Sequence, residues 1–178
     1  KNLLLLPVGK AGGDIVGQND LCVVRIHARK LHHLLFKFGQ GHGQGIRVHA
    51  YLMYGFPSQT TRATIEALEI VREMFECGCI QSAYWHRFAL TAHSPMARSP
   101  AKFGIRLRPA PPAPFARNEI PFEDLRGDDP APLAPGLRKA AYNFMHGIGF
   151  NHDIRDWFDV PIPRPRTPRQ FVERLLSE

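Results

Sequence analysis

Hydrophobic and polar positions fall into two regimes along the chain, and the change comes near Ile46. From there Val48, Ala50, Leu52 and Tyr54 alternate with His49, Tyr51 and Met53. Nearly every position is apolar or aromatic, which predicts a strand buried on both faces of a parallel sheet. Gly55-Phe56-Pro57 ends it, because proline cannot continue a central strand. A helix is predicted from about Thr61 to Glu76. Ile65, Leu68, Val71, Met74 and Phe75 recur at helical spacing, with Glu66, Glu69, Arg72, Glu73 and Glu76 largely on the other face. Ser58 or Thr60 is the expected N-cap and Gly78 the stop. Ile80 to Leu90 then reads as a second strand. Residues 46–90 are thus a predicted βαβ unit, with parallel strands and a right-handed crossover.

The flanks read differently. Before Ile46 the pattern lacks clean periodicity, and Gly39, Gly41, Gly43 and Gly45 alternate in FGQGHGQG. Such a stretch has high backbone entropy and little to bury. After Pro95 the chain is punctuated by proline, and RLRPAPPAPFAR (106–117) is predicted to be extended. Gly136–His146 reads as a short amphipathic helix. Thr167-Pro168 reads as the start of a last helix, with Phe171, Val172, Leu175 and Leu176 as its apolar face.

Charge adds one feature. The net charge is +7, and residues 1–60 carry seven Lys/Arg against Asp14 and Asp20. A basic first third admits a nucleic-acid or phosphate partner. The cations are scattered rather than clustered, so an ordinary basic surface is the preferred reading and nucleic acid the less favoured partner. The chain starts at Lys1 rather than methionine, which is read as a piece of something longer. Three cysteines make no disulfide framework, and no stretch reaches the ~20 apolar residues of a membrane span. A reducing cytoplasm is therefore the expected setting, without a membrane.

Candidate chemistry is sparse. Cys77-Gly78-Cys79 lacks the second pair that a zinc site needs, and His86 with His93, or His146 with His152, could be ligands only through the fold, so the non-metal reading is preferred and no metal ligand is assigned. No phosphate loop or nucleophile elbow is present. Asp153, Asp156 and Asp159 read as a solvated face. Two features remain. Ligands bind at the carboxyl ends of parallel strands, where the Gly55 turn lies. His86 and Arg87 sit toward the same end of the second strand, and one of the two should face the interior of a barrel.

The run HAYLMYGFPSQTTRATIEALEIVREMFECGCIQSAYWHRFALTAHSPMARSPAKFGI (49–105) resembles radical SAM enzymes. Its nearest likeness is to the group carrying a cobalamin-binding domain ahead of the radical SAM core. The tail pieces NEIPFED (118–124), GLRKAAYNFMHGIGF (136–150) and DIRDWFD (153–159) extend the likeness over residues 46–178. The resemblance implies an α/β fold: the C-terminal portion of a partial (β/α)6 barrel over 46–105, then a proline-rich, mostly helical extension over 106–178. It implies an enzyme that cleaves S-adenosylmethionine at a [4Fe–4S] cluster to start radical chemistry on an organic substrate. The same resemblance implies cobalamin as a further cofactor of the parent, bound by a domain outside this chain. By the same resemblance Tyr54, Gly55, Phe56 and Pro57 line the adenosyl site, and His86 and Arg87 contact substrate or cofactor.

Two departures bear on this reading. The family holds its cluster through Cys-x-x-x-Cys-x-x-Cys, and Cys22, Cys77 and Cys79 cannot supply that motif. The chain alone is therefore expected to be inactive and to need the remainder of the parent enzyme. Residues 1–45 also lack the expected earlier strand and helix, and are read as divergent or frame-disrupted. The alternative reading is a non-catalytic basic module that binds nucleic acid or an acidic partner.

Overall fold

The computed structural model describes residues 47–109 and 118–177. The expectations for residues 1–45, and the extended reading of residues 110–117, lie outside them. The described chain is mixed α/β. Strand β1 (His49–Tyr54) leads into helix α1 (Thr61–Glu76) and returns as β2 (Ser82–Arg87), parallel to β1. Leu52 pairs with Trp85, Met53 with His86 and Tyr54 with Arg87. The parallel β–α–β order thus forms as expected, with β1 starting later than expected and β2 shorter at both ends. Helix α1 starts where Thr60 caps it, its side chain accepting the Ala63 N–H at 3.2 Å. It ends at Cys77, and Gly78 follows at φ +69°, a left-handed turn that costs glycine nothing.

A short helix α2 (Pro95–Arg98) leads to an antiparallel pair, β3 (Ile105–Leu107) and β4 (Phe122–Asp124). Helix α3 (Ala134–Met145) follows and lies against β2 and α1, and helix α4 (Phe171–Ser177) closes on α1. The strands form two two-stranded sheets, and no barrel closes among the described residues. No described helix is long and apolar enough to cross a membrane.

Two hydrophobic clusters hold these elements. The larger joins Ala50, Leu52 and Tyr54 of β1 and Trp85 of β2 to Leu68 and Val71 of α1, Leu137 and Phe144 of α3, Trp157 and Val172. The smaller packs Phe56, Leu90, Met96 and Ile105 beneath β3–β4.

Two expectations need correction, and one helix face is buried where its charges would suggest solvent. The β1–β2 pair is buried on one face only: Tyr51 is 54% exposed and Tyr84 50%. The helices α1 and α3 share one side of the sheet, and the odd-numbered side chains of β1 point away from them. The charged side of α1 is not solvated either. Glu66, Glu69, Arg72 and Glu73 are all buried, and the chain beyond α3 reaches back to Arg72 and Glu73. The Arg72 guanidinium donates to Glu69 and Glu76 at 2.8 Å and to the carbonyl of Phe150 at 2.7 Å. Glu73 accepts the Val172 N–H at 2.7 Å. Burial pushes the Glu73 carboxyl up, against the pull of Val172 and Arg72. The last helix, finally, begins at Phe171 rather than beside Pro168, since Gln170 sits at φ +68° between them.

Candidate functional site

The carboxyl ends of β1 and β2 open onto a cavity of about 600 Å³. That is a size typical of small-molecule sites. Gly55 and Arg87 form its wall from the parallel pair, Arg108 and Phe122 its wall from β3–β4, and the loop to Pro130 its third side.

The loop after β4 is fastened to the β1–α1 turn by backbone donors meeting carboxylates. Asp124 Oδ2 accepts the Ser58 N–H at 2.7 Å, while its Oδ1 accepts the N–H groups of Arg126 and Gly127 at 2.9 and 3.0 Å. Asp128 Oδ2 accepts the Thr61 N–H at 2.6 Å, and the Asp128 N–H returns to the Gln59 carbonyl at 3.2 Å. A carboxylate at the first turn of a helix is favoured by the orphan N–H groups there. The Thr61 N–H holds the Asp128 carboxyl below the usual carboxylate range.

That shift sets a pH dependence. A carboxyl depressed on folding adds stability above its unfolded pKa, and the gain is lost as pH falls through the folded value. Asp128→Ala should therefore be less stable than the parent chain at neutral pH. The gap should narrow as the solution is acidified below about pH 4, where aspartate protonates. Urea midpoints across that pH range measure it, and a gap of constant size would contradict it.

The turn itself is largely committed to packing. Tyr54 is buried in the main core with its ring edge on Trp85, centroids 6.4 Å apart. Phe56 is buried in the second core, 4.9 Å from Phe88, and Pro57 is fully buried. The Phe56 N–H donates to Gln59 Oε1 at 3.1 Å, so it is not open to a ligand. Of the four residues assigned to the adenosyl site, Gly55 alone lines the cavity. It sits at φ +71°, and a Cβ there would lie 2.7 Å from Pro130 Cγ. Its missing side chain makes room for the loop at Pro130.

His86 and Arg87 separate as neighbours on a strand must. Arg87 enters the cavity wall. His86 lies on the open face of the sheet, its ring stacked on Tyr51 at 5.4 Å. Sequence reading missed Arg108, Glu119 and Asp129, which the fold brings to the same cavity. The prolines around them were the visible signal, and they mark irregular chain without saying where it folds.

The cavity wall has mixed charge. Among the described residues neither Arg87 nor Arg108 makes an ion pair, and Glu119, Glu123, Asp124, Asp128 and Asp129 share the wall with them. Such a lining suits a ligand that carries both signs of charge. No group of three or more His, Cys, Asp or Glu side chains converges as for a metal among the described residues. Cys77 is exposed at the end of α1. Cys79 is buried, and burial pushes its thiol up to about 11.

No family model, no curated protein and no solved structure matches the chain.

Proposed function

We propose that this chain is the C-terminal part of a radical SAM enzyme and that its cavity holds S-adenosylmethionine. In this reading β1–α1–β2 are late elements of a partial (β/α)6 barrel, and residues 106–178 are the C-terminal extension that follows them. The observation that carries it is the cavity at the carboxyl ends of the parallel strands, with Gly55 and Arg87 in its wall. Ligands of parallel α/β folds bind at that end of the sheet.

The lining fits the ligand's chemistry. S-adenosylmethionine carries a carboxylate, an ammonium and a sulfonium. Arg87 and Arg108 supply donors for the first, and the carboxylates of Glu119, Asp128 and Asp129 suit the other two. Phe88, Phe122 and Pro130 offer apolar wall to the adenosyl part. The contribution of these residues is binding, orientation and exclusion of water.

The iron–sulfur cluster does not fit the residues present. It needs three thiolates on one loop. Cys77 and Cys79 are separated by one residue, and burial keeps Cys79 protonated. No chemical step is therefore assigned to this chain, which acts only with the remainder of its parent. Cobalamin and the organic substrate rest on the resemblance alone, as does the cytoplasmic setting.

Calorimetric titration of S-adenosylmethionine into the 178-residue chain tests the reading. Saturable one-site binding is expected. Arg87 is exposed, so Arg87→Ala should fold normally and weaken binding by roughly ten- to a hundredfold, the worth of a charged hydrogen bond. No binding by the folded parent chain, or equal binding by the variant, would overturn the assignment.

A further inference from the structure

Helix α4 meets α1 at a buried carboxyl. The helix has seven residues, fewer than the roughly 12–15 that an isolated helix needs in water. It therefore depends on what it docks against. Val172 and Leu175 enter the main core, and Glu73 Oε2 accepts the Val172 N–H at 2.7 Å. The chain that leads to α4 forms no helix or strand and is broken by Pro161, Pro163, Pro165 and Pro168.

The surroundings of that carboxyl hold more negative charge than positive. The side chains of Glu69 and Glu73 are 5% and 3% exposed and share the guanidinium of Arg72. Arg72 Nη2 donates to Glu69 at 2.8 Å but stands 3.7 Å from Glu73 Oε1, which has no hydrogen-bond partner among the described residues. Glu76 takes the other guanidinium nitrogen. Burial pushes the neighbouring Cys77 thiol up, so it stays neutral. From α4 comes Glu173, exposed and a further negative charge. The turn Ile154–Trp157 also packs on α1, and its Arg155 is already paired with Asp153. Arg138 and Lys139 of α3 are exposed. Among the described residues Arg72 is the one cation within ion-pair distance of Glu73.

We propose that Glu73 is a proton-operated latch for the C-terminal helix. With the carboxyl neutral, Oε2 still accepts the Val172 N–H, the otherwise unpartnered Oε1 carries the proton, and α4 stays docked. Loss of that proton as pH rises leaves a second buried carboxylate on one guanidinium and loosens α4. A neutral carboxyl costs far less to bury than a carboxylate short of donors. Burial holds the docked carboxyl above its ordinary value, against the Val172 N–H and Arg72. The docked state therefore binds more protons than the open one. Docking strengthens as pH falls through the docked value, and the gain is complete below about 4.3, the ordinary glutamate value. The latch lies away from the cavity and does not depend on the ligand assigned there.

The test is amide hydrogen exchange of the full chain from about pH 4 to neutrality, corrected for the intrinsic exchange rate. Amides of α4 should lose protection as pH rises, by up to about tenfold per pH unit while one proton is linked to docking. Glu73→Gln is neutral at every pH and keeps an acceptor for the Val172 N–H. It should hold α4 protected across the whole range. Glu173→Gln, on the exposed side of α4, should keep the parent chain's dependence on pH. The carboxyl carbon shift of Glu73 in the parent chain gives a second measurement that needs no variant, and its midpoint should lie above the ordinary glutamate value. A midpoint at or below about 4.3 would overturn the latch. So would flat protection of α4 in the parent chain, or an equal slope in Glu73→Gln.

Discussion

Arg72→Ala is expected to destabilise the chain by about 3–5 kcal/mol, the cost of leaving one side of a buried ion pair without its partner. Arg72 is 3% exposed and bridges three carboxylates of α1 to the carbonyl of Phe150. Burial by itself would depress this guanidinium. The hydrogen bond to Glu69 and the charges of Glu69, Glu76 and Glu73 raise it instead. Removal strands Glu69 and Glu73 in a site that water does not reach. It also frees the chain near Phe150, so proteolysis between α3 and α4 should accelerate along with the fall in urea midpoint. The joint replacement Arg72→Met, Glu69→Leu and Glu73→Gln should recover most of the loss, because buried ion clusters are often no better than apolar groups of similar size. Glutamine at position 73 keeps an acceptor for the Val172 N–H. A single variant as stable as the parent chain would mean that the cluster is solvated.

Gly55→Ala is expected to cost about 2–5 kcal/mol and to abolish ligand binding in the cavity. Two terms add. A non-glycine residue in the left-handed region costs about 1–2 kcal/mol, and Gly55 sits at φ +71°. Overpacking costs about 1–3 kcal/mol more, because the new methyl would lie 2.7 Å from Pro130 Cγ. Proline cannot turn aside as a long side chain would, so the loop from Asp124 to Pro130 must move. That loop is one wall of the cavity and is tied to the β1–α1 turn through Asp124 and Asp128. Pro130→Gly in the Gly55→Ala background relieves the clash but not the backbone strain, and should restore part of the stability. If Gly55→Ala is as stable as the parent and binds equally, the glycine's role in packing this loop is wrong.

Both effects arise where distant parts of the chain meet, and these are the parts the sequence left obscure. Helix α1 was legible to the residue because its signals are local. Ile65, Leu68 and Val71 keep helical period, Thr60 caps, and Gly78 turns the chain out. Strand β1 was legible by its alternation and by Pro57, but not the openness of one face. That depends on how many layers surround the sheet. The burial of Arg72 and Glu73 depends on partners 78 and 99 residues further along the chain. No period within α1 announces them, and four charges on one helix face resemble a solvated face. The cavity was half legible. The glycine turn at the carboxyl end of a strand pointed to the place, while Arg108, Glu119 and Asp129 come from proline-rich chain whose path only tertiary contacts define. Thr167-Pro168 has the residues of a helix start, yet the positive φ at Gln170 postpones the helix to Phe171.

Titration of the isotopically labelled full chain with S-adenosylmethionine, followed by amide NMR, tests the proposed binding site most directly. The account predicts saturable shifts concentrated at Gly55, Phe88 and Gly127 around the cavity, absent in Arg87→Ala. Shifts confined to Tyr51 and Tyr84 on the open sheet face, or no shifts at ligand excess, would contradict it.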